Sequence, residues 1–466
     1  MRHDLILKNG LLVDPINEIH EKMDIGIKKE KIAEVGKNLI NSDRIIDVSD
    51  LVIIPGVIDM HVHTDNLLGG GHVAYHMVAE TGVTTLVDWA GPPNEIYNNI
   101  INYDAYGLNV GVLETVRPIV RDGNDPKFDA IEQQLENALK EGALGLKLLG
   151  GHFPLTPEAS ERVIDIANKH KVMIAVHSGT TKNRSNIEGM RETIELANGR
   201  PLVLAHINAY CRGKVRPYLE ELGDAFTMLR ENPNIYGESH LAPMNGTYGK
   251  CDGDTPVDNI TINCLGTFGY KPTKEGMIQG IHDGVIRVIM KKPFETVLVE
   301  KEKAYEYWMS KNTDTMVSFP ANLPITAVAC ALEKNPADGG FLLKVTSTDG
   351  GGIPRNDLIG RILHLYNMGY LSLEDVIRKV SVNPAKIFAL KNKGHLSVGA
   401  DADITILDLE RSKAVMSFAL GQMIMTNGNL VGTGGTMLVT EYGVKCMHKN
   451  NLKYDVIDIS DSLIYK

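Results

Sequence analysis

Residues 51–63 read Leu-Val-Ile-Ile-Pro-Gly-Val-Ile-Asp-Met-His-Val-His, an apolar run that leads into an H-x-H pair, His61 and His63. The run 51–59 has the length and composition of a buried strand rather than a helix. On extended backbone, side chains two residues apart point the same way, so both imidazoles face one side and can grip one cation. An H-x-H pair alone is common, and its weight depends on what the neighbouring strands carry.

Seven further apolar runs, 84–88, 109–113, 144–149, 172–177, 202–206, 234–238 and 343–349, also read as strands. Helix-like segments at 128–141, 157–170, 186–197 and 216–231 lie between them. Eight strands alternating with helices point to an α/β fold, a distorted (β/α)8 TIM barrel, with an open parallel sheet as the rival. Residues 240–320, rich in Gly, Asn, Thr, Tyr and Lys, break the rhythm and read as an insertion after the seventh strand. A stretch of that length suits a lid or a substrate-facing subdomain. Short strands and turn signals such as Asn9-Gly10 and Asp14-Pro15 fill the first fifty residues, and the same texture returns after residue 395. The expected division is a small composite β domain from 1–55 and 395–466, bracketing a barrel over 56–394.

The formal charge of −10 and pI near 5.9 argue against a non-specific binder of nucleic acid or acidic membranes. No signal peptide and no apolar run of transmembrane length is read. Five scattered cysteines without a C-x-x-C pair suit reduced thiols in the cytoplasm. The expected partners are a small-molecule amide substrate and further copies of the same chain.

Other strands do carry candidates. His177 ends 172–176, His206 ends 202–205, and Asp349 ends 345–348. In a parallel barrel these positions share one rim with His61 and His63, where active sites are built. Imidazole nitrogen with carboxylate oxygen is a donor set for zinc. Lys147 is a charge among apolar neighbours in Gly-Ala-Leu-Gly-Leu-Lys-Leu-Leu (142–149). Burial disfavours its charged form, and a neutral lysine amine can add carbon dioxide to give a carbamate able to bridge two cations.

The order His61, His63, Lys147, His177, His206, Asp349 resembles the amidohydrolase superfamily, in its binuclear subtype with a carboxylated lysine. Residues 55–63 look like that family's strand-one signature, and Val382-Asn383-Pro384-Ala385 with 394–407 looks like its return into the end domain. The resemblance covers nearly the whole chain and implies a distorted barrel with a composite β-sandwich, holding two zinc ions. Branches within it divide. Hydantoinases and dihydroorotases usually follow the aspartate with a histidine, where this chain has Gly350-Gly351-Gly352. Residues 347–350 look closer to isoaspartyl dipeptidases, whereas the histidine spacing and long insertion look like N-acyl-D-amino-acid deacylases. The cysteine those deacylases carry after strand two is absent from Val87-Asp88-Trp89-Ala90-Gly91. Residues 177–181 and 206–208 look like enamidases.

The expected reaction is hydrolysis of a cyclic amide or an N-acyl amino acid, with Asp349 moving the proton from water to the leaving nitrogen. Arg184, Arg212 and Arg355 follow the loops after His177, His206 and Asp349, as candidates for gripping a substrate carboxylate. His72, His76, His240 and Tyr248 are further rim candidates. A phosphotriesterase- or lactonase-like hydrolase is the alternative, and a non-catalytic dihydropyrimidinase-like scaffold is a third reading.

Overall fold

A computed structural model of the chain describes residues 2–66, 70–118 and 125–466. Its centre is a ring of parallel strands. Val57–His63, Val83–Asp88 and Asn109–Val112 pair in sequence order, as do Glu114–Val116, Gly145–Leu149, Met173–His177, Leu202–Leu204, Ile235–His240 and Val345–Ser347. The two arcs join through the chain itself. Leu113 separates the stretch that pairs with the second strand from the stretch that pairs with the fourth. Beyond Val345–Ser347, Gly350–Gly351 turns onto the first strand. Counted this way the parallel strands number eight, two of them broken where they change partner.

Side chains buried on both faces explain why these runs are continuously apolar: Val57–His63 and Val83–Asp88 are buried at every position. The helices that cover them begin on recognisable signals. Thr156 caps Pro157–Lys169, which has proline in its first turn, and Asn186 caps Ile187–Ala197.

The apolar run 51–63 is two strands rather than one. Val52–Pro55 pairs with Leu11–Leu12 and with Ile404–Leu407, in a sheet apart from the barrel. Gly56 is the crossing point, where an added Cβ would lie 2.4 Å from Thr84 Oγ1 and 2.9 Å from Asp403 Cβ. Only a residue without a side chain lets the two sheets approach this closely. His61 and His63 lie within the last residues of the barrel strand rather than after it.

Val52–Pro55 belongs to a nine-stranded sheet drawn from both ends of the chain, the β-sandwich portion of the fold. Leu7, Ile25, Ile53, Ile404 and Phe418 share its core. The last part of the chain leaves that sheet. Thr436–Val439, which the sequence reading groups with the end domain, pairs with the base of Asn109–Val112, and Lys453–Val456 pairs with it in turn. These two strands extend the barrel sheet beside strand three.

Between the seventh and eighth strands the chain builds a separate layer over the barrel mouth. Thr247–Tyr248, Met316–Ser318, Arg287–Lys291 and Thr296–Val299 form its sheet, with helices Asn259–Thr267, Lys274–His282 and Lys301–Ser310. It has its own core, including Leu265, Met277, Val288, Trp308 and Phe319. Among the described residues, no helix is long and apolar enough to cross a membrane.

Candidate metal centre and its cavity

The strand ends bring the six sequence candidates His61, His63, Lys147, His177, His206 and Asp349 together, all buried except the half-buried His177. His63 Nε2 is 3.0 Å, and His61 Nε2 3.4 Å, from Asp349 Oδ1. The donor atoms of His61, His63 and Asp349 all lie within 4.8 Å of one another, a spacing one cation can span. His206 Nε2 lies 3.2 Å from His177 Nδ1, a second pair on the neighbouring strands. Asp349 and His206 hold left-handed backbone, at φ 51° and 33°. Such strain in residues with side chains persists only where the surroundings over-determine it, and it collects at functional sites.

Lys147, from the fourth strand, lies within electrostatic range of both groups. It is fully buried, and its amine has no hydrogen-bond partner among the described residues. Burial lowers its pKa to about 7, against the pull of Asp349 and Glu238. Trp89 floors the site: its ring stacks on His61 at 3.9 Å and lies 4.3 Å from the Lys147 amine. Burial also holds His61, His177 and His206 well below the ordinary histidine pKa, so all three are neutral near pH 7. Burial alone would raise the Asp349 carboxyl, but Arg355, His61 and the His63 hydrogen bond outweigh it and hold the group ionised. Neutral imidazoles, an ionised carboxylate and an unpartnered amine fit the donor set of a divalent metal centre.

Three further groups were not singled out from the sequence as parts of this cluster. Glu238, in the seventh strand, accepts from the His206 backbone N–H at 2.6 Å and lies 2.8 Å from His61 Nδ1, which orients that ring. Asp59, with its pKa raised by burial to about 7, accepts from both Thr348 N and Thr348 Oγ1 and so fixes the turn into Asp349. His152 lies 2.9 Å from Asp258 of the insertion; burial lowers its pKa, but Asp258 outweighs this and raises it. Both acids stand near the ends of apolar strands, the same cue that marked the histidines.

A cavity of about 280 Å³ opens on the centre, lined on its inner side by His63, His177, His206 and Asp349. Arg184, Arg212 and Arg355 all line it. Their situations differ. Arg355 is buried, donating from Nε to the Asp349 carbonyl at 2.5 Å and from Nη1 to Met244 O at 3.0 Å. Its Nη2 meets Asp349 Oδ2 at 2.5 Å. Arg184 and Arg212 instead bond to the amide oxygens of Asn263 and Asn322. His240 is buried 3.9 Å from Asp349 Oδ2. His72, His76 and Tyr248 do not line the cavity: His72 stacks on Tyr103, His76 meets Glu80 one turn on, and the Tyr248 hydroxyl bonds to Asp314.

Comparison with known proteins agrees with this geometry. Residues 278–433 match the profile described as the Amidohydrolase family. A dihydroorotase of Clostridioides difficile is 22% identical over 449 residues, covering 89% of this chain and 92% of the relative. An N-acyl-D-glutamate deacylase of Alcaligenes xylosoxydans xylosoxydans is 21% identical over 456 residues, 87% of this chain and 88% of its own. Among solved structures, an N-acyl-D-glutamate deacylase from Bordetella bronchiseptica, complexed with zinc and a phosphonate inhibitor, superposes with a TM-score of 0.66. It is 14% identical, with 93% of this chain and 99% of that one covered.

Proposed function

The chain belongs to the amidohydrolase superfamily as a metal-dependent hydrolase of carbon–nitrogen bonds other than peptide bonds, and from that premise we propose how its residues divide the work. His61, His63, His177, His206 and Asp349, together with Lys147 as a carbamate, would hold a zinc centre of two ions. The observation that carries this is the Lys147 amine, buried and unpartnered among neutral imidazoles. A lysine of that kind destabilises the fold unless something neutralises it. Adding carbon dioxide forms one N–C bond and releases one proton, leaving an anion where two cations require one. When bound, the metal supplies Lewis acidity toward a water molecule and the scissile carbonyl.

The chain's own groups do the rest. Asp349 accepts a proton as water adds to the carbonyl carbon, then returns it to the nitrogen as the C–N bond breaks. An amide nitrogen leaves poorly unless protonated, so the return step matters as much as the first. Arg355 holds the aspartate's carboxylate and backbone together, leaving Oδ1 turned toward His61 and His63. We therefore place Arg355 as a positioning residue rather than a substrate anchor. The insertion roofs the cavity with Asn259, Ile260, Asn263 and Met316, which restricts substrates to small molecules. The substrate class is a cyclic amide or an N-acyl amino acid. A cytoplasmic homo-oligomer is part of the same proposal, and solution mass measurement checks the assembly.

Turnover tests the assignment. The metal-loaded protein should hydrolyse members of a panel of cyclic amides and N-acyl amino acids in preference to lactones and phosphotriesters. Hydrolysis confined to phosphotriesters or lactones would transfer the centre to the alternative chemistry.

A further inference from the structure

The charge on the cavity wall is out of keeping with the rest of the molecule. The chain carries a net charge of −10, yet among the described residues the cavity is lined by Arg184, Arg212, Lys214 and Arg355 against a single carboxylate, Asp349. Arg355 and Asp349 pair with each other. The other three cations have no carboxylate within ion-pair distance among the described residues. Arginines close by on the outer surface are treated differently. Arg216 pairs with Glu188 and Asp224, and Arg200 with Glu161 and Asp165.

This wall is built rather than incidental. Arg184 Nη1 donates to Asn263 Oδ1 at 2.6 Å, and Arg212 donates from both Nε and Nη2 to Asn322 Oδ1. Each guanidinium is thereby oriented by a neutral amide, which fixes its direction and leaves its charge intact. The loop that carries Lys214 is shaped by buried Glu221, whose oxygens accept from the backbone N–H groups of Gly213, Val215 and Arg216. Desolvation, then Arg212 and more weakly Arg184, hold the Lys214 pKa below the ordinary lysine value, so the three cations lie within electrostatic range of one another. Like charges gathered on one wall cost free energy in the empty site, and an anion between them removes that cost.

We infer that Arg184, Arg212 and Lys214 form a subsite for a doubly negative oxyanion group on the substrate, remote from its scissile amide. Arg184 and Arg212 follow metal-site residues His177 and His206 on adjacent loops, so the subsite and the reaction centre share one small cavity. A group with one negative charge leaves most of this wall unneutralised. Two carboxylates, or one phosphate monoester, match it, and guanidinium forks suit either. The inference rests on the hydrolase reading for the word substrate, while the subsite itself stands on the cavity's charge.

Isothermal titration of the metal-loaded protein with glutarate, methyl phosphate and butyrate, at low salt, tests it. At least one dianion should bind about tenfold or more tighter than butyrate, since each added charge-assisted contact is worth roughly that factor. The tighter of the two dianions identifies the group. Lys214→Met alters an exposed side chain, and it should weaken dianion binding about tenfold and butyrate binding much less. Dianions that bind no tighter than butyrate, or three dissociation constants unmoved by Lys214→Met, would overturn the subsite. Lys214-dependent binding without turnover of any amide in the panel would strike down the hydrolase reading and leave the subsite standing.

Discussion

The mouth and the base of the barrel each bury a lysine, and the two have opposite fates. At the base, Lys393 lies between Asp401 at 2.7 Å and Asp403 at 2.8 Å. Burial pushes its pKa down, but the two aspartates outweigh it and raise it, so the ammonium stays charged and ties the β-sandwich to the barrel. Asn109 of the third barrel strand donates to the same Asp403 carboxylate. At the mouth, Lys147 is equally buried but has no hydrogen-bond partner among the described residues, and its pKa falls to about 7. One lysine is a structural cation, and the other an amine that burial brings to deprotonation near neutral pH. Burial alone does not distinguish them; a carboxylate within 3 Å does, since fully buried Lys379 donates to the Leu343 carbonyl at 2.7 Å and its pKa also falls to about 7.

Substitution should separate the two lysines. Lys147→Met should abolish bound metal and lower kcat/KM by about 10⁴-fold or more, because the centre loses its bridge. Atomic absorption and steady-state kinetics check this, and a variant that kept its metal would remove Lys147 from the centre. Asp349→Asn should retain at least part of the metal but lose about 10²–10⁴-fold in kcat, the range for removing a general acid–base. Near-normal kcat there would sink the proton-transfer role. Arg355→Lys keeps the charge but not the fork, and should cost about 10–100-fold in kcat with a smaller change in KM. Lys393→Met should leave kcat within about threefold and lower stability by about 3–5 kcal/mol, as expected when one partner of a buried ion network is removed. Denaturant unfolding reads that loss directly.

The pH dependence sharpens the same contrast. Lys147 has a lowered pKa, so between about 7 and the unfolded value near 10.5 the unfolded chain binds a proton that the folded chain does not. Stability of the metal-free protein attributable to Lys147 therefore rises with pH across that window. For Lys393 the sign is reversed: its contribution is present below the unfolded pKa and is lost as pH rises through the folded one. Unfolding midpoints of the metal-free wild type and the two methionine variants should show the Lys147 contribution rising between pH 7 and 10, and the Lys393 contribution level there and falling only above about pH 10.5. Equal slopes would contradict the difference drawn between the two sites.

Much of the barrel was legible because a strand buried on both faces leaves a continuous apolar run, and the ligands stand where such runs end. The metal-centre candidates share that cue, and so do Glu238 and Asp59, whose acids were read as part of a strand rather than as support for a histidine or a turn. Partner choice was not legible. Nothing in the composition of 51–63 says that Gly56 divides two sheets, and the approach of Thr84 and Asp403 that requires a glycine is a long-range fact. Thr436–Val439 has the texture of an end-domain strand yet pairs with Asn109 and Val110. The join between His152 and Asp258 spans 106 residues, and local pattern carries no trace of it.

The central claim is a two-metal centre bridged through Lys147, and elemental analysis of the purified, metal-loaded chain beside Lys147→Met tests it most directly. The account expects about two equivalents of divalent metal per wild-type chain and a loss of most of it in the variant. A wild-type chain that takes up no metal, or a variant that binds as much as wild type, would contradict it.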